Sequence, residues 1–542
     1  MFLLFVAPAY AQTFNNKYFV AFTDKDFSDY NLSNPEEFLS ERAIQRRATH
    51  NIPYRYNDLP VSAYYTESLK EMGFHIYYTT KWFNGAVVGI DSASLVSALD
   101  SLSFIKSYDL IYTSELKSTA KHAIKNEGMQ RQTPYSEIDY GPSVTQIKFN
   151  GGDYLHDAGL TGKGMYIAVL DAGFYNVDTL AAFKHLWEED RILATRSFVN
   201  PQLPFFDSHT HGMYVLSLLG GWLPGELVGS APDATYILLH TEDGYSENRI
   251  EEYNWAAGAE FADSIGADII NSSLGYHAFD IARHNYSYSD MDGNTAVITR
   301  AADIAASKGM LVVTSAGNEG NDPWKFITAP ADADSVLTVG AADSLGFPAA
   351  FTSFGPTYDG RIKPNTTGMG VKDVVQSSFG GTSRGNGTSF SSPLIAGMAA
   401  GLWQKYPNAS NIEIINAIEK SSSLYLNPDS MLGYGIADMA KAFTIASGIP
   451  QNKTLDEISI FPNPYTDSFT IETPVDLLPY TIEIINLQGK IVAKESYPAP
   501  VSSFLQKDFN EFNNLGSGIY ILTLSNKKNA VQRKIIKINK EK

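Results

Sequence analysis

A serine hydroxyl becomes a useful nucleophile when a neutral imidazole within hydrogen-bond reach takes its proton and an anion orients that imidazole. Three residues of this 542-residue chain could supply those parts. Ser389 stands in Gly387-Thr388-Ser389-Phe390-Ser391-Ser392-Pro393, just before a strongly helical stretch at 394–403. Pro393 is expected in the first turn of that helix. Ser389 would then sit at a helix N-terminus, where positive potential helps to stabilise an oxyanion. His211 opens another helical pattern, His211-Gly212-Met213-Tyr214-Val215, and can be the base. Asp171 directly follows the apolar run Tyr166-Ile167-Ala168-Val169-Leu170 and can be the anion. The chemistry open to such a trio is acyl transfer.

These groups are far apart in the chain, so a sheet must bring them together. Short apolar runs at 165–170, 235–239, 267–271, 310–314 and 336–339 fit strands buried on both faces of a parallel sheet. Helix-length segments lie between them at 248–265 and 298–307, with two more after the last strand at 392–405 and 412–420. The alternation predicts an α/β, doubly wound parallel-sheet domain over residues 140–448. Ligands bind such sheets beyond the carboxyl ends of the strands. Asp171, Ser272-Ser273-Leu274-Gly275 and Ser315-Ala316-Gly317-Asn318 all fall there, and three polar strand ends together make a cleft. Taken singly, each group has a plainer use: Asp171 as a helix cap, Ser389 as an N-cap, Asn318 as a left-handed turn residue. His209 and His211 form a His-x-His pair, but no other clustered ligands accompany them, so no metal site is expected.

Taken in order, these segments resemble the subtilase family of serine peptidases over residues 140–448. The resemblance is carried by Ile167-Ala168-Val169-Leu170-Asp171-Ala172-Gly173, His211-Gly212, Asn271-Ser272-Ser273-Leu274-Gly275, Ser315-Ala316-Gly317-Asn318-Glu319-Gly320, Ser353-Phe354-Gly355-Pro356 and Gly387-Thr388-Ser389. It implies that Asn318 and the backbone N–H of Ser389 donate to the oxyanion. It also implies that Ser273-Leu274-Gly275 and Ser315-Ala316-Gly317 wall the primary specificity pocket, with residues 328–330 as its floor. An extended substrate would pair with those walls as an added strand. The chain departs from the family at Met213-Tyr214 below the histidine and at Phe390-Ser391 after the serine; neither departure removes a catalytic group. The resemblance requires no cofactor for the chemistry. It is compatible with a structural calcium, for which no ligand loop can be assigned.

The flanks have their own character. Residues 1–11 hold an apolar run and Ala9-Tyr10-Ala11, a small-x-small cleavage pattern, and are expected to be a signal peptide that lacks its basic start. Residues 12–116 read as a small α+β unit, followed by a polar linker at 117–139. Phe74 and Trp82-Phe83-Asn84-Gly85-Ala86-Val87-Val88 resemble the inhibitory propeptides of subtilases, which implies an intramolecular inhibitor cut away between about 117 and 140. After a second linker at 449–457, residues 458–542 alternate like strands and predict an all-β sandwich. Ile460-Phe461-Pro462-Asn463-Pro464 and Gly516-Ser517-Gly518-Ile519-Tyr520 resemble the C-terminal sorting domain of the type IX secretion system. That implies the type IX machinery as a partner and a secreted or cell-surface place in a Gram-negative bacterium.

The totals agree. A formal net charge of −18 argues against nucleic acid as a partner. The absence of cysteine excludes disulfides, thiolate metal sites and a cysteine nucleophile. No later apolar run approaches the ~18 residues of a transmembrane segment. The expected function is a secreted serine endopeptidase acting on protein or peptide substrates. The competing reading is a non-catalytic surface binding protein that keeps the subtilase scaffold.

Overall fold

In chain order the first structure is a four-stranded antiparallel sheet: β1 Asn16–Phe22, β2 His75–Thr80, β3 Gly85–Gly89 and β4 Ile105–Thr113, arranged β2-β3-β1-β4. The computed structural model describes residues 14–114, 138–449 and most of 459–538. It divides into two units, Met1–Ile449 and Pro450–Lys542. The expected leader lies outside the described residues, and so does most of each expected linker.

Alternation along β1 sends its side chains to opposite faces of the first sheet. Val20 and Phe22 pack with Leu69 of α2 (Ala63–Glu71), with Leu95 of α3 (Ala93–Ala98) and with Val88. Phe19, Val87 and Ile111 face the other way and meet Ile250, Tyr253 and Val297 of the larger domain. The Phe19 and Tyr253 rings stack at 4.1 Å. The small unit therefore docks through an apolar sheet face.

A helix that the apolar pattern does not disclose, α1 (Glu41–Thr49), adds a charged anchor. Its Arg46 and Arg47 are 6% and 1% exposed. Arg46 reaches Asp263 at 2.5 Å, and Arg47 bridges Asp263 at 2.8 Å and Asp58 at 3.0 Å. Lys308 returns the exchange from the larger domain to Asp58 at 2.9 Å. Each side thus supplies the counter-charge for the other, which is what buried ions require.

The larger domain is built on a seven-stranded sheet. Its strands are β5 Tyr166–Asp171, β6 Ile192–Ser197, β7 Thr235–His240, β8 Ile269–Ser272, β9 Leu311–Ser315, β10 Leu337–Ala342 and β11 Thr366–Met369. The order is β11-β10-β9-β8-β5-β7-β6, and every neighbouring pair is parallel. Helices cover both faces. Ile167 and Val169 join one core with α4 (His211–Gly220) and α7 (Thr388–Lys405). Ala168 and Leu170 join the other with α5 (Ile250–Ile265) and α6 (Val297–Ser307). This is the expected doubly wound subtilisin-like arrangement. The chain leaves β5 for β6 and β7 on one side and crosses to β8 on the other, so the end of β5 is the switch point where such sheets bind ligands.

The second unit is strand-rich. Ser459–Phe461, Thr470–Pro474 and Phe504–Asp508 form one antiparallel sheet, and Tyr480–Asn486, Ile491–Tyr497, Gly518–Ser525 and Ala530–Lys537 form another. Ile482, Ile484, Leu522 and Ile535 are among its buried side chains, as are Tyr465 and Phe469.

Candidate active site

Asp171 is the last residue of β5 and is wholly buried. Its Oδ1 accepts the backbone N–H of Ala172 at 2.8 Å and lies 2.6 Å from Nδ1 of His211. His211 is the first residue of α4, with its side chain 21% exposed. The helix comes close enough for this bond because residue 212 is glycine. A Cβ there would lie 2.4 Å from the Gly173 carbonyl oxygen and 2.9 Å from the Asp171 Cβ. Burial works against an imidazolium at His211, but the charge and hydrogen bond of Asp171, with Glu242 adding to them, outweigh it and raise the pKa. With Nδ1 turned to the carboxylate, Nε2 is the nitrogen left to act as base.

Ser389 is the second residue of α7 and is 8% exposed. Its hydroxyl donates to the Ser273 carbonyl at 3.2 Å rather than to the imidazole, and its own carbonyl accepts the Ser273 hydroxyl at 3.0 Å. The second bond has a covalent cause. Pro393 carries no N–H to donate to the carbonyl four residues earlier, so the Ser389 oxygen is free for Ser273. Pro393 accordingly lies inside α7 and not in its first turn as expected, because the helix starts already at Thr388. The two serine bonds tie the start of α7 to the strand end after β8. The Ser389 hydroxyl must turn away from Ser273 before it can meet His211.

Asn318 follows β9. Its Oδ1 accepts both the backbone N–H of Thr388 at 2.9 Å and the Thr388 hydroxyl at 3.0 Å. With the oxygen held twice, the amide hydrogens are left for the cleft. His211, Ser389 and Asn318 share one cavity of about 230 Å³ with Ser273, Leu274 and Gly275. Ser315, Ala316 and Gly317 do not line it. Ser315 closes β9 and Ala316 packs with Ile327 and Ala331. Gly317, at φ +108, turns beneath: a Cβ there would stand 2.6 Å from Glu319 Oε2 and 2.9 Å from the Thr328 hydroxyl. That hydroxyl would also lie 2.2 Å from a Cβ at Gly275, so Thr328 spans the space between the two glycines. Residues 328–330 were the expected floor. Phe390, where the family pattern differs, lies near-parallel to the His211 ring at 6.5 Å.

His209 also lines the cavity, and its Nδ1 accepts the backbone N–H of His211 at 3.2 Å. Burial and the neighbouring His211 lower its pKa. Among the described residues no group of three or more His, Asp or Glu side chains is arranged to hold a metal ion. Sequence reasoning missed the part that Thr388 plays in holding Asn318 and the acidic stretch Glu242-Asp243 after β7. The last was within reach, since it is a fourth strand end at the same rim.

Three family models match the chain: the subtilase family over residues 162–435, the peptidase S8 propeptide domain of Bacteroidota over 17–130, and the secretion system C-terminal sorting domain over 459–539. Subtilisin NAT of Bacillus subtilis subsp. natto is 29% identical over 334 residues, 60% of this chain and 77% of that protein. A subtilisin of Bacillus pumilus is 29% identical over 311 residues, 56% of this chain and 98% of its own length. Among solved structures, the prenylagaramide maturation protease PagA aligns over 55% of this chain and 99% of its own, at 22% identity and a TM-score of 0.44. The match to the subtilase model covers every residue discussed from Asp171 to Ser389, and by it the chain belongs to the subtilase family and is a subtilisin-like serine protease.

Proposed function

We propose that Ser389 is the nucleophile, His211 the general base and acid, Asp171 the anion that fixes the imidazole, and Asn318 an oxyanion donor, in the hydrolysis of peptide bonds of protein substrates. The hydroxyl of Ser389 turns from Ser273, gives its proton to His211 Nε2 and attacks the scissile carbonyl. The imidazolium is stabilised by Asp171 and then protonates the leaving amine. Water, activated by the same imidazole, releases the acyl group. The Nδ2 hydrogens of Asn318 and the backbone N–H of Ser389 meet the oxyanion. Ser273, Leu274 and Gly275 form the strand edge along which an extended substrate pairs, and Ser315, Ala316 and Gly317 make the second wall of the specificity pocket, behind Asn318. These steps are proton transfers and carbonyl additions, and no cofactor enters them.

One observation carries this reading: the 2.6 Å contact of Asp171 with His211 opens on the cavity that Ser389 and Asn318 line. Fluorophosphonate labelling of the processed protein tests it. Stoichiometric modification of Ser389, with casein hydrolysis lost in Ser389→Ala, is the expected result. Equal hydrolysis by wild type and Ser389→Ala would refute it and favour a scaffold that only binds.

The propeptide unit restrains the enzyme until it is cut between about residues 117 and 140, and its docking through Phe19, Val87 and Ile111 supports this role. The sorting domain directs export through the type IX machinery across the outer membrane and is removed on the way. No helix among the described residues is long and apolar enough to cross a membrane.

A further inference from the structure

Besides the groups given catalytic roles, the active-site cavity is lined by Glu242, Asp243, Glu247 and Glu319 and, among the described residues, by no lysine or arginine. The first three stand on the segment that leaves the carboxyl end of β7. A second cavity of about 340 Å³ shares Asp243 and Ser246 with the first, so the acidic segment runs between the two. Glu251 lines this second cavity. It is 1% exposed, and its Oε2 is buried without a hydrogen-bond partner. Burial first, then the charges of Glu247 and Glu242, hold the Glu251 carboxyl well above its ordinary range. A carboxyl so placed becomes an anion when a cation arrives beside it.

An independent feature shows what chemistry fits there. The propeptide presents a cation to the same cavity. Lys17 lines it, with Nζ 4.5 Å from the ring centre of Tyr77 and 4.8 Å from that of Tyr112. Asp243 is the charge that counteracts the effect of burial on this ammonium. Two aromatic faces on the propeptide therefore already hold one lysine in a cavity that Asp243 and Glu251 of the enzyme also line. When the propeptide leaves, it removes both Lys17 and the tyrosines, and Asp243 and Glu251 lose that cover.

We propose that the mature cleft selects substrates carrying a lysine or arginine within about four residues of the scissile bond, received by Asp243, Glu247 and Glu251. The inference rests on Ser389 being the nucleophile. Four residues of extended chain reach about 13 Å from the attacked carbonyl, and the two cavities are joined at Asp243 and Ser246. A glutamate at the same position meets like charge and is rejected.

The test uses processed enzyme and internally quenched peptides that differ at one position, carrying Lys, Ala or Glu, scanned across four positions on each side of the bond. At one position or more, kcat/KM for Lys should exceed that for Ala by roughly tenfold, as expected of one or two half-exposed ion pairs. The Glu peptide should fall below Ala, and the spread should shrink at ~0.5 M salt. The Lys-to-Ala ratio should drop in Asp243→Asn and in Glu251→Gln, and reverse in favour of Glu in Asp243→Lys. Equal cleavage of Lys, Ala and Glu peptides at every position overturns the proposal while leaving the serine chemistry standing, since the Ala peptide is still cut and Ser389 still takes a fluorophosphonate. Failure to cut any peptide overturns both.

Discussion

Replacing Asp373 by asparagine should stabilise the larger domain, and increasingly so as the pH rises. Asp373 opens the strand β12 (Asp373–Gln376), which pairs with β13 (Thr382–Gly385) in the hairpin that leads to Ser389. It is 0% exposed, and neither carboxylate oxygen has a hydrogen-bond partner. Burial pushes its pKa from 3.8 up to about 8, with Arg384 opposing only weakly. Between those values the unfolded chain ionises while the folded chain keeps its proton. Stability therefore falls as the pH rises from about 4 to about 8, by up to ~1.4 kcal/mol per pH step, and is level above. The whole interval amounts to on the order of 5 kcal/mol, a large share of the ~5–15 kcal/mol that holds an ordinary domain folded. Asparagine cannot titrate, so it removes the slope. Urea unfolding followed by tryptophan fluorescence, in a Ser389→Ala background that prevents self-digestion, measures it. The gain from Asp373→Asn should be several kcal/mol greater at ~pH 8 than at ~pH 5. An identical difference between the two proteins at both pH values would show that Asp373 is already ionised in the fold, and the reasoning would fail.

Asn318→Ala should lower kcat by about 10²–10³ with KM little changed, a magnitude measured for the equivalent donor of a subtilisin and not worked out from this chain. Steady-state kinetics on a single peptide checks it. The kcat/KM of the wild type should rise with pH through a limb that lies above 6.5, because Asp171 and Glu242 favour the imidazolium of His211. Glu242→Gln should move that limb to lower pH, and a limb that stays put would remove Glu242 from the account. Asp263→Asn leaves Arg46 and Arg47 without their shared counter-charge in a buried interface. Breaking such a pair costs about 3–5 kcal/mol, so the uncut form of this variant should react with a fluorophosphonate far faster than the uncut wild type does.

Much of the fold is legible without coordinates. Residues 167–170 are apolar throughout because β5 lies between two helical layers, and that local fact is enough to predict a parallel sheet with Asp171 at its rim. The helices at 250–265 and 297–307 announce themselves in the same way. Strand β6 does not, since it is the edge strand and its side chains are half-buried or exposed. Helix α1 does not either. Its buried face is Ala43 with Arg46 and Arg47, and a guanidinium becomes a core residue only where Asp58 and Asp263 stand ready to receive it.

The sequence by itself determined the residue types, their order, and which strand ends carry polar groups, because those depend on the periodicity of near neighbours. Tertiary structure decided that Ser389 and Ser273 exchange hydrogen bonds across 116 residues of chain, that Thr388 aims the Asn318 amide, and that an acidic segment after β7 borders the cavity. Such pairings are set by which strands lie side by side in the sheet, and the distance between two groups in space has no counterpart in the spacing of their letters.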